Sequence, residues 1–275
     1  MADVPDIAVL ESELAHLRVS EDPDRWALAA YRVAVARSEL ATRPAELDEA
    51  LGLLDRASRI LTSERAPLEH SRMLTAAASC HRAAGRIDRA VALFEQAAEL
   101  AGPRAPRAER AASLVNLGLA QAEVGRPDQA VAALDAAIEL LGTPPDDEGV
   151  RLLGAAFVNR AQAHQARDDH AALDAAVKDY EGALAVLPPE SPQAGMAAHG
   201  LGAAMLERHQ RDPGAAAVDA SIAAFERALG VFGPTTYPFQ YAIVRHSLAL
   251  AYEQRGQPGD LARALNSVEG SLALF

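Results

Sequence analysis

The sequence predicts an all-α protein built from stacked helical hairpins, and three observations carry that prediction. The stretch "AGRIDRAVALFEQAAEL" at 84–100 returns as "VGRPDQAVAALDAAIEL" at 124–140, where Gly85, Ala90, Phe94 and Ala97 match Gly125, Ala130, Leu134 and Ala137 at one offset of 40. A small, large, small triplet at intervals of four and three recurs in six places along the chain. That spacing puts the three residues on one helical face, where small side chains admit a neighbouring helix and the large one fills the gap. Proline and glycine pairs punctuate the chain between these helices, and proline cannot continue a helix.

In chain order, residues 4–17, "VPDIAVLESELAHL", form a short extra helix, so 1–23 is assigned as an N-terminal cap. The hairpins follow at about 24–65, 66–102, 103–143, 144–188, 189–233 and 234–275. Their second helices carry the triplets Ala50, Leu54, Ala57; Ala90, Phe94, Ala97; Ala130, Leu134, Ala137; Ala176, Tyr180, Ala183; Ser221, Phe225, Ala228; and Ala264, Val268, Ser271. A first helix precedes each, exemplified by "RAASLVNLGLAQAE" before the third triplet, with Leu114, Leu117, Gly118 and Gln121 at three- and four-residue intervals. The breakers Ala66-Pro67, Gly102-Pro103, Pro144-Pro145, Pro188-Pro189 and Gly233-Pro234 mark the turns between hairpins. No segment shows strand alternation.

The 275-residue chain is 50% hydrophobic and 23% charged, so it is globular and able to bury a core. Only 4% of residues are aromatic, and the core is therefore one of close-packed Ala, Leu and Val. A net charge of −12 disfavours nucleic acid and anionic lipid as partners, since both call for clustered cations. Cys80 is the single cysteine, so no internal disulfide forms and nothing requires an oxidising compartment. The N-terminus lacks the pattern of a signal peptide and no apolar stretch approaches spanning length, so a cytoplasmic protein is expected.

The "NLG" at 116–118, Gln121 in the usual aromatic slot, Gly125 at the turn, and Ala130, Leu134 and Ala137 on the second helix together resemble the tetratricopeptide repeat family. That family pairs a helix A with a helix B in units of about 34 residues. "LG" at 201–202 and Leu248, Ala249 and Tyr252 extend the likeness. The units here are longer, and in that respect resemble those of actinobacterial multidomain signalling proteins. The resemblance implies a right-handed superhelical solenoid of about six hairpins, with the A helices along a concave wall. Gly85 and Gly125 are expected at positive φ where helix A ends.

Enzyme signatures are lacking: no phosphate loop, no GxSxG, no HExxH and no paired cysteines occur. The expectation is a protein without catalytic residues, cofactor or metal. "HQARDDH", with His164, Asp168, Asp169 and His170, is the nearest metal-like cluster and is taken as a solvated loop. Cys80 and His81 are neighbours on a helix and point apart. Asp146, Asp147 and Glu148 precede a helix and suit its macrodipole. The loop "GPTTYPFQY" at 233–241 concentrates aromatics and is taken as a packing plug in preference to a ligand clamp.

What remains is the concave wall. By the family's positional pattern its outward residues include Tyr31, Ser38, Arg72, Ser79, Arg82, Asn116, Glu123, Asn159, Gln162, Gln165, His199, Glu207, His246 and Glu253. Arg72 and Arg82 are suited to a partner's carboxylate. Asn116 and Asn159 lack the lysine companions of the family's chaperone-tail clamp. The function expected is a non-enzymatic scaffold for a peptide or protein partner. The alternatives are a regulatory module controlling an effector domain and an enzyme on a helical-repeat fold. The closing "SLALF" stops in the middle of an apolar face, so either a second chain abutting Phe275 or a longer polypeptide is expected.

Overall fold

The computed structural model describes residues 6–272 apart from 104, 145, 168 and 214, and leaves aside the side chains of 215, 271 and 272. Pro145, Asp168, Phe275 and the Ser271 side chain, named above, lie outside this description. Thirteen helices and no strand are found among the described residues, an all-α helical-repeat fold of the solenoid class. None of these helices is long and apolar enough to cross a membrane.

The helices fall into two compact units, 1–126 and 127–275. Unit 1 holds α1 (Ile7–His16), α2 (Pro23–Leu40), α3 (Pro44–Ile60), α4 (Pro67–Ala83), α5 (Ile87–Ala101) and α6 (Arg107–Glu123). Unit 2 holds α7 (Pro127–Leu141), α8 (Asp147–Gln165), α9 (His170–Val186), α10 (Pro192–Arg211), α11 (Ala215–Val231), α12 (Pro238–Arg255) and α13 (Asp260–Leu272). Within each unit every helix packs on its sequence neighbours.

Local chemistry sets the helix ends. Proline opens α2, α3, α4, α10 and α12 in the first turn, where its missing N–H costs nothing. Asp22, Asp146, Asp169 and Ser191 cap helices by accepting a backbone N–H from the first turn. Gly85 and Gly125 adopt φ of 73° and 72°. Beside them the Arg86 N–H donates to the His81 carbonyl at 2.8 Å and the Arg126 N–H to that of Gln121 at 2.9 Å, closing α4 and α6 in the same way.

The triplets supply the core. Both small residues and the large one are buried in α3, α5, α7, α9 and α11. Each fully buried Leu or Phe among them contributes about 1.5–3 kcal/mol relative to exposure. The sixth triplet differs, because Ala264 is buried while Val268 is exposed; no further helix lies over α13 among the described residues. The aromatic slot of helix A holds Tyr252, whose hydroxyl donates to Glu226 at 3.1 Å, and Gln121, which is buried with no hydrogen bond to its Oε1.

A second repeat runs in ion pairs. An aspartate two residues before each of the first five triplets meets an arginine near the end of the next helix A. The pairs are Asp48–Arg86 at 2.7 Å, Asp88–Arg126 at 3.9 Å, Asp128–Arg167 at 3.3 Å, Asp174–Arg208 at 3.7 Å and Asp219–Arg255 at 3.0 Å. All five aspartates are exposed, so the pairs fix register more than they add stability.

Two glycine substitutions of identical chemistry test this packing. A Cβ on Gly202 of α10 meets the Phe225 ring at 2.6 Å, whereas one on Gly52 of α3 meets nothing within 4 Å. Gly202→Ala is therefore expected to destabilise the protein by about 1–3 kcal/mol through overpacking. Gly52→Ala is expected to stabilise by about 0.5–1 kcal/mol through helix propensity. Urea unfolding of the two variants reads both signs.

Candidate interaction surface

In each unit the A helices present a hollow built from their outward side chains. In unit 1 it lies between α2, α4 and α6, measures about 460 Å³, and is lined by Tyr31, Ser38, Ser71, Arg72, Thr75, Ser79, Glu109 and Ser113 among others. Helical spacing explains the lining, because Arg72, Thr75, Ala76 and Ser79 fall on one face of α4. The Arg72 guanidinium donates to both Glu109 carboxylate oxygens, at 2.9 and 2.5 Å. This fork also raises the Arg72 pKa. Tyr31 sits beside it, its hydroxyl pKa raised chiefly by burial. Further along the same helices, Arg82 donates to Glu123 at 3.0 Å. The two arginines suited to a partner's carboxylate thus already hold glutamates of α6.

In unit 2 the hollow lies between α8, α10 and α12 and is nearly the same size, about 450 Å³, but it is more apolar and carries no ion pair among its lining residues. Val158, Met196, Phe239 and Ile243 line it together with Gln162, Gln165, Gln240 and His199. Met196, Phe239 and Ile243 are 54%, 64% and 40% exposed, far more than an aliphatic or aromatic residue needs for packing. Gln165 accepts from the Tyr180 hydroxyl at 2.9 Å and donates to Glu207 at 3.3 Å, which turns its amide away from free rotation. His199 Nε2 lies 3.1 Å from the Ser247 hydroxyl, and its ring centroid is 5.6 Å from that of Phe225. Burial lowers the His199 pKa, so the ring is neutral at pH 7.

The expected wall residues are therefore distributed unevenly. Tyr31, Ser38, Arg72 and Ser79 line the first hollow; Gln162, Gln165 and His199 line the second. Arg82 and Glu123 pair with each other, and Glu207 borders the second hollow through Gln165 and Arg211. Asn116 and Asn159 are half-buried on α6 and α8, while His246 and Glu253 are exposed on α12, and none of the four lines either hollow. The aromatic loop divides. Tyr237 packs edge-on against Phe232 at 5.5 Å as a plug, while Phe239, two residues on, lines the hollow.

Chains with this arrangement can be compared with known proteins. The tetratricopeptide repeat model matches residues 69–142. Residues 69–142 carry tetratricopeptide repeats. No curated protein matches it closely enough to count as a relative. Solved structures share the fold over most of its length. BtubC from P. vanneervenii is 17% identical, with 85% of this chain and 94% of that one covered and a TM-score of 0.62. A Podosopora anserina protein with nearly identical TPR-like repeats is 20% identical over 78% of this chain and 99% of its own, with a TM-score of 0.59. The apo form of RapI is 11% identical over 98% and 69%, with a TM-score of 0.72. At these identities the likeness is one of fold.

The metal-like cluster resolves into repeat architecture. Asp169 caps α9 by accepting the Ala172 N–H at 2.7 Å. His164 Nε2 faces the Asp179 carboxylate at 3.8 Å, which a fork from Arg160 already occupies. No group of three or more metal-ligating side chains occurs among the described residues. Cys80 is buried, and that burial pushes its thiol pKa up.

His199 gives the stability of the fold a pH dependence with a fixed sign. Its folded pKa lies below the free value of 6.5, so the unfolded chain takes up a proton there more readily than the folded one. The stability it contributes is present above pH 6.5 and is lost as pH falls through the folded value. His81 and His164 shift in the same direction, again mainly through burial. Urea midpoints at pH 7.5 and 5.5 are expected to differ less in His199→Gln than in the parent, and equal differences would remove His199 as a contributor.

Proposed function

We propose that residues 24–275 form six tetratricopeptide hairpins capped by α1. They act as a non-enzymatic cytoplasmic scaffold that takes a peptide or protein partner along its A helices. The observation that carries this reading is the hollow of unit 2, where Met196, Phe239 and Ile243 stand exposed beside neutral amides. Such a surface suits a large apolar side chain of an extended segment, with Gln162 and Gln240 able to pair with backbone N–H and C=O groups. The polar hollow of unit 1 supports a subordinate contact. A partner's carboxylate there competes with Glu109 for Arg72, and the exchange of one ion pair for another yields little affinity. The excess of acidic residues argues against nucleic acid and anionic membranes as partners.

The test is a selection of random twelve-residue peptides on the immobilised protein. Peptides carrying a large apolar anchor are expected to be enriched. Phe239→Glu is expected to weaken them at least tenfold, in line with the roughly 2 kcal/mol carried by a buried aromatic anchor, and Arg72→Ala to change them by less than about threefold. Enriched peptides that bind Phe239→Glu as well as the parent would refute the reading.

A further inference from the structure

Two B helices of unit 2, α9 and α11, each bury a stripe of three residues, at positions of which the earlier B helices bury one or two outright. In α9 it is Leu173, Val177 and Tyr180, clustered with Ala194 and Ala197 of α10. In α11 it is Val218, Ile222 and Phe225, clustered with Val244 and Leu248 of α12. The stripe thus faces the helix A of the following repeat. Counted from the triplet, the same positions in α13 are Leu261, Leu265 and Val268, and they are 74%, 56% and 37% exposed. The established interface between repeats therefore continues in register onto α13, where no helix of the described residues covers it.

The ion-pair register does not continue with it. The position two residues before the triplet holds Asp48, Asp88, Asp128, Asp174 and Asp219 in the five earlier helices and Ala262 in α13. Ala262 is exposed beside Leu261 and Leu265, which widens the apolar surface at the place where each earlier helix receives an arginine. A helix tipped with arginine, as every helix A that closes onto an earlier aspartate is, leaves that cation over apolar surface here. This favours an aliphatic residue over an arginine at the tip of a helix docked on α13.

We infer that α13 is a docking surface for one amphipathic helix of a partner protein. That helix has a face of small and aliphatic residues like those of α10 and α12, and an aliphatic residue in place of the terminal arginine. The site lies outside the two hollows and does not depend on what they bind.

Fluorescent peptides with the sequence of α12, residues 238–255, serve as the probe, because α12 already covers the equivalent stripe of α11. One keeps the native sequence and the other carries Arg255→Leu. The Arg255→Leu peptide is expected to bind the full chain saturably and more tightly than the native peptide. Leu265→Glu, at an exposed position, is expected to weaken it at least tenfold with the circular dichroism spectrum unchanged, and Leu265→Ala to weaken it by a smaller factor. Ala262→Asp in the chain is expected to reverse the preference toward the native peptide. The inference is overturned if neither peptide binds, if Leu265→Glu leaves binding intact, or if light scattering finds a parent dimer that Leu265→Glu splits, since a second copy then occupies the face.

Discussion

The interaction on which the rest depends is the seating of one helix A on the stripe of the preceding helix B. A hairpin alone leaves that stripe in water, and a short helix is marginal in isolation. Stacking removes Leu173, Val177 and Tyr180, or Val218, Ile222 and Phe225, from solvent at one stroke. Small residues on both sides make the approach close enough for this, and Gly200 of α10 against the Tyr180 ring of α9 shows how little room remains. The outward side chains of successive A helices are brought side by side as a consequence, so the two hollows are products of core packing.

Polar groups follow the same geometry with different energetic weight. The Asp–Arg pairs at the hairpin tips are exposed and individually worth little, yet they recur at one position and penalise a slipped stack through unpaired charge. Two arginines are exceptions: Arg255, which also holds the buried Asp260, and Arg160. Arg160 joins Asp135 of α7 and the buried Asp179 of α9 from its place on α8. Removing Asp179 leaves a guanidinium with one exposed partner in a largely dry site, which costs far more than loss of any tip pair.

Sequence periodicity makes the helices, the triplets and the turn glycines legible because each is decided within one hairpin: Gly85 and Gly125 adopt the positive φ that their place after helix A demands. The chemistry of the wall is harder to read, since it depends on residues about forty positions apart. Arg72 looks free for a partner until Glu109, one repeat away, is seen holding it with two hydrogen bonds. The cluster "GPTTYPFQY" reads as a plug, and for Tyr237 it is one. A single turn of α12 rotates Phe239 onto the opposite task, which residue content alone does not separate.

The last helix shows why a stripe and a charge carry different information. Apolar burial is indifferent to partner identity, so Leu261, Leu265 and Val268 accept any helix with a suitable face. An aspartate at the tip admits an arginine and penalises an aliphatic residue, and an alanine there does the reverse. Throughout the chain the stripe supplies the attraction and the aspartate chooses this chain's own helix. With the stripe kept and the aspartate replaced by Ala262, α13 retains the attraction and selects against its own repeats. That combination disfavours an arginine-tipped helix on this face while leaving it adhesive toward a helix of different sequence.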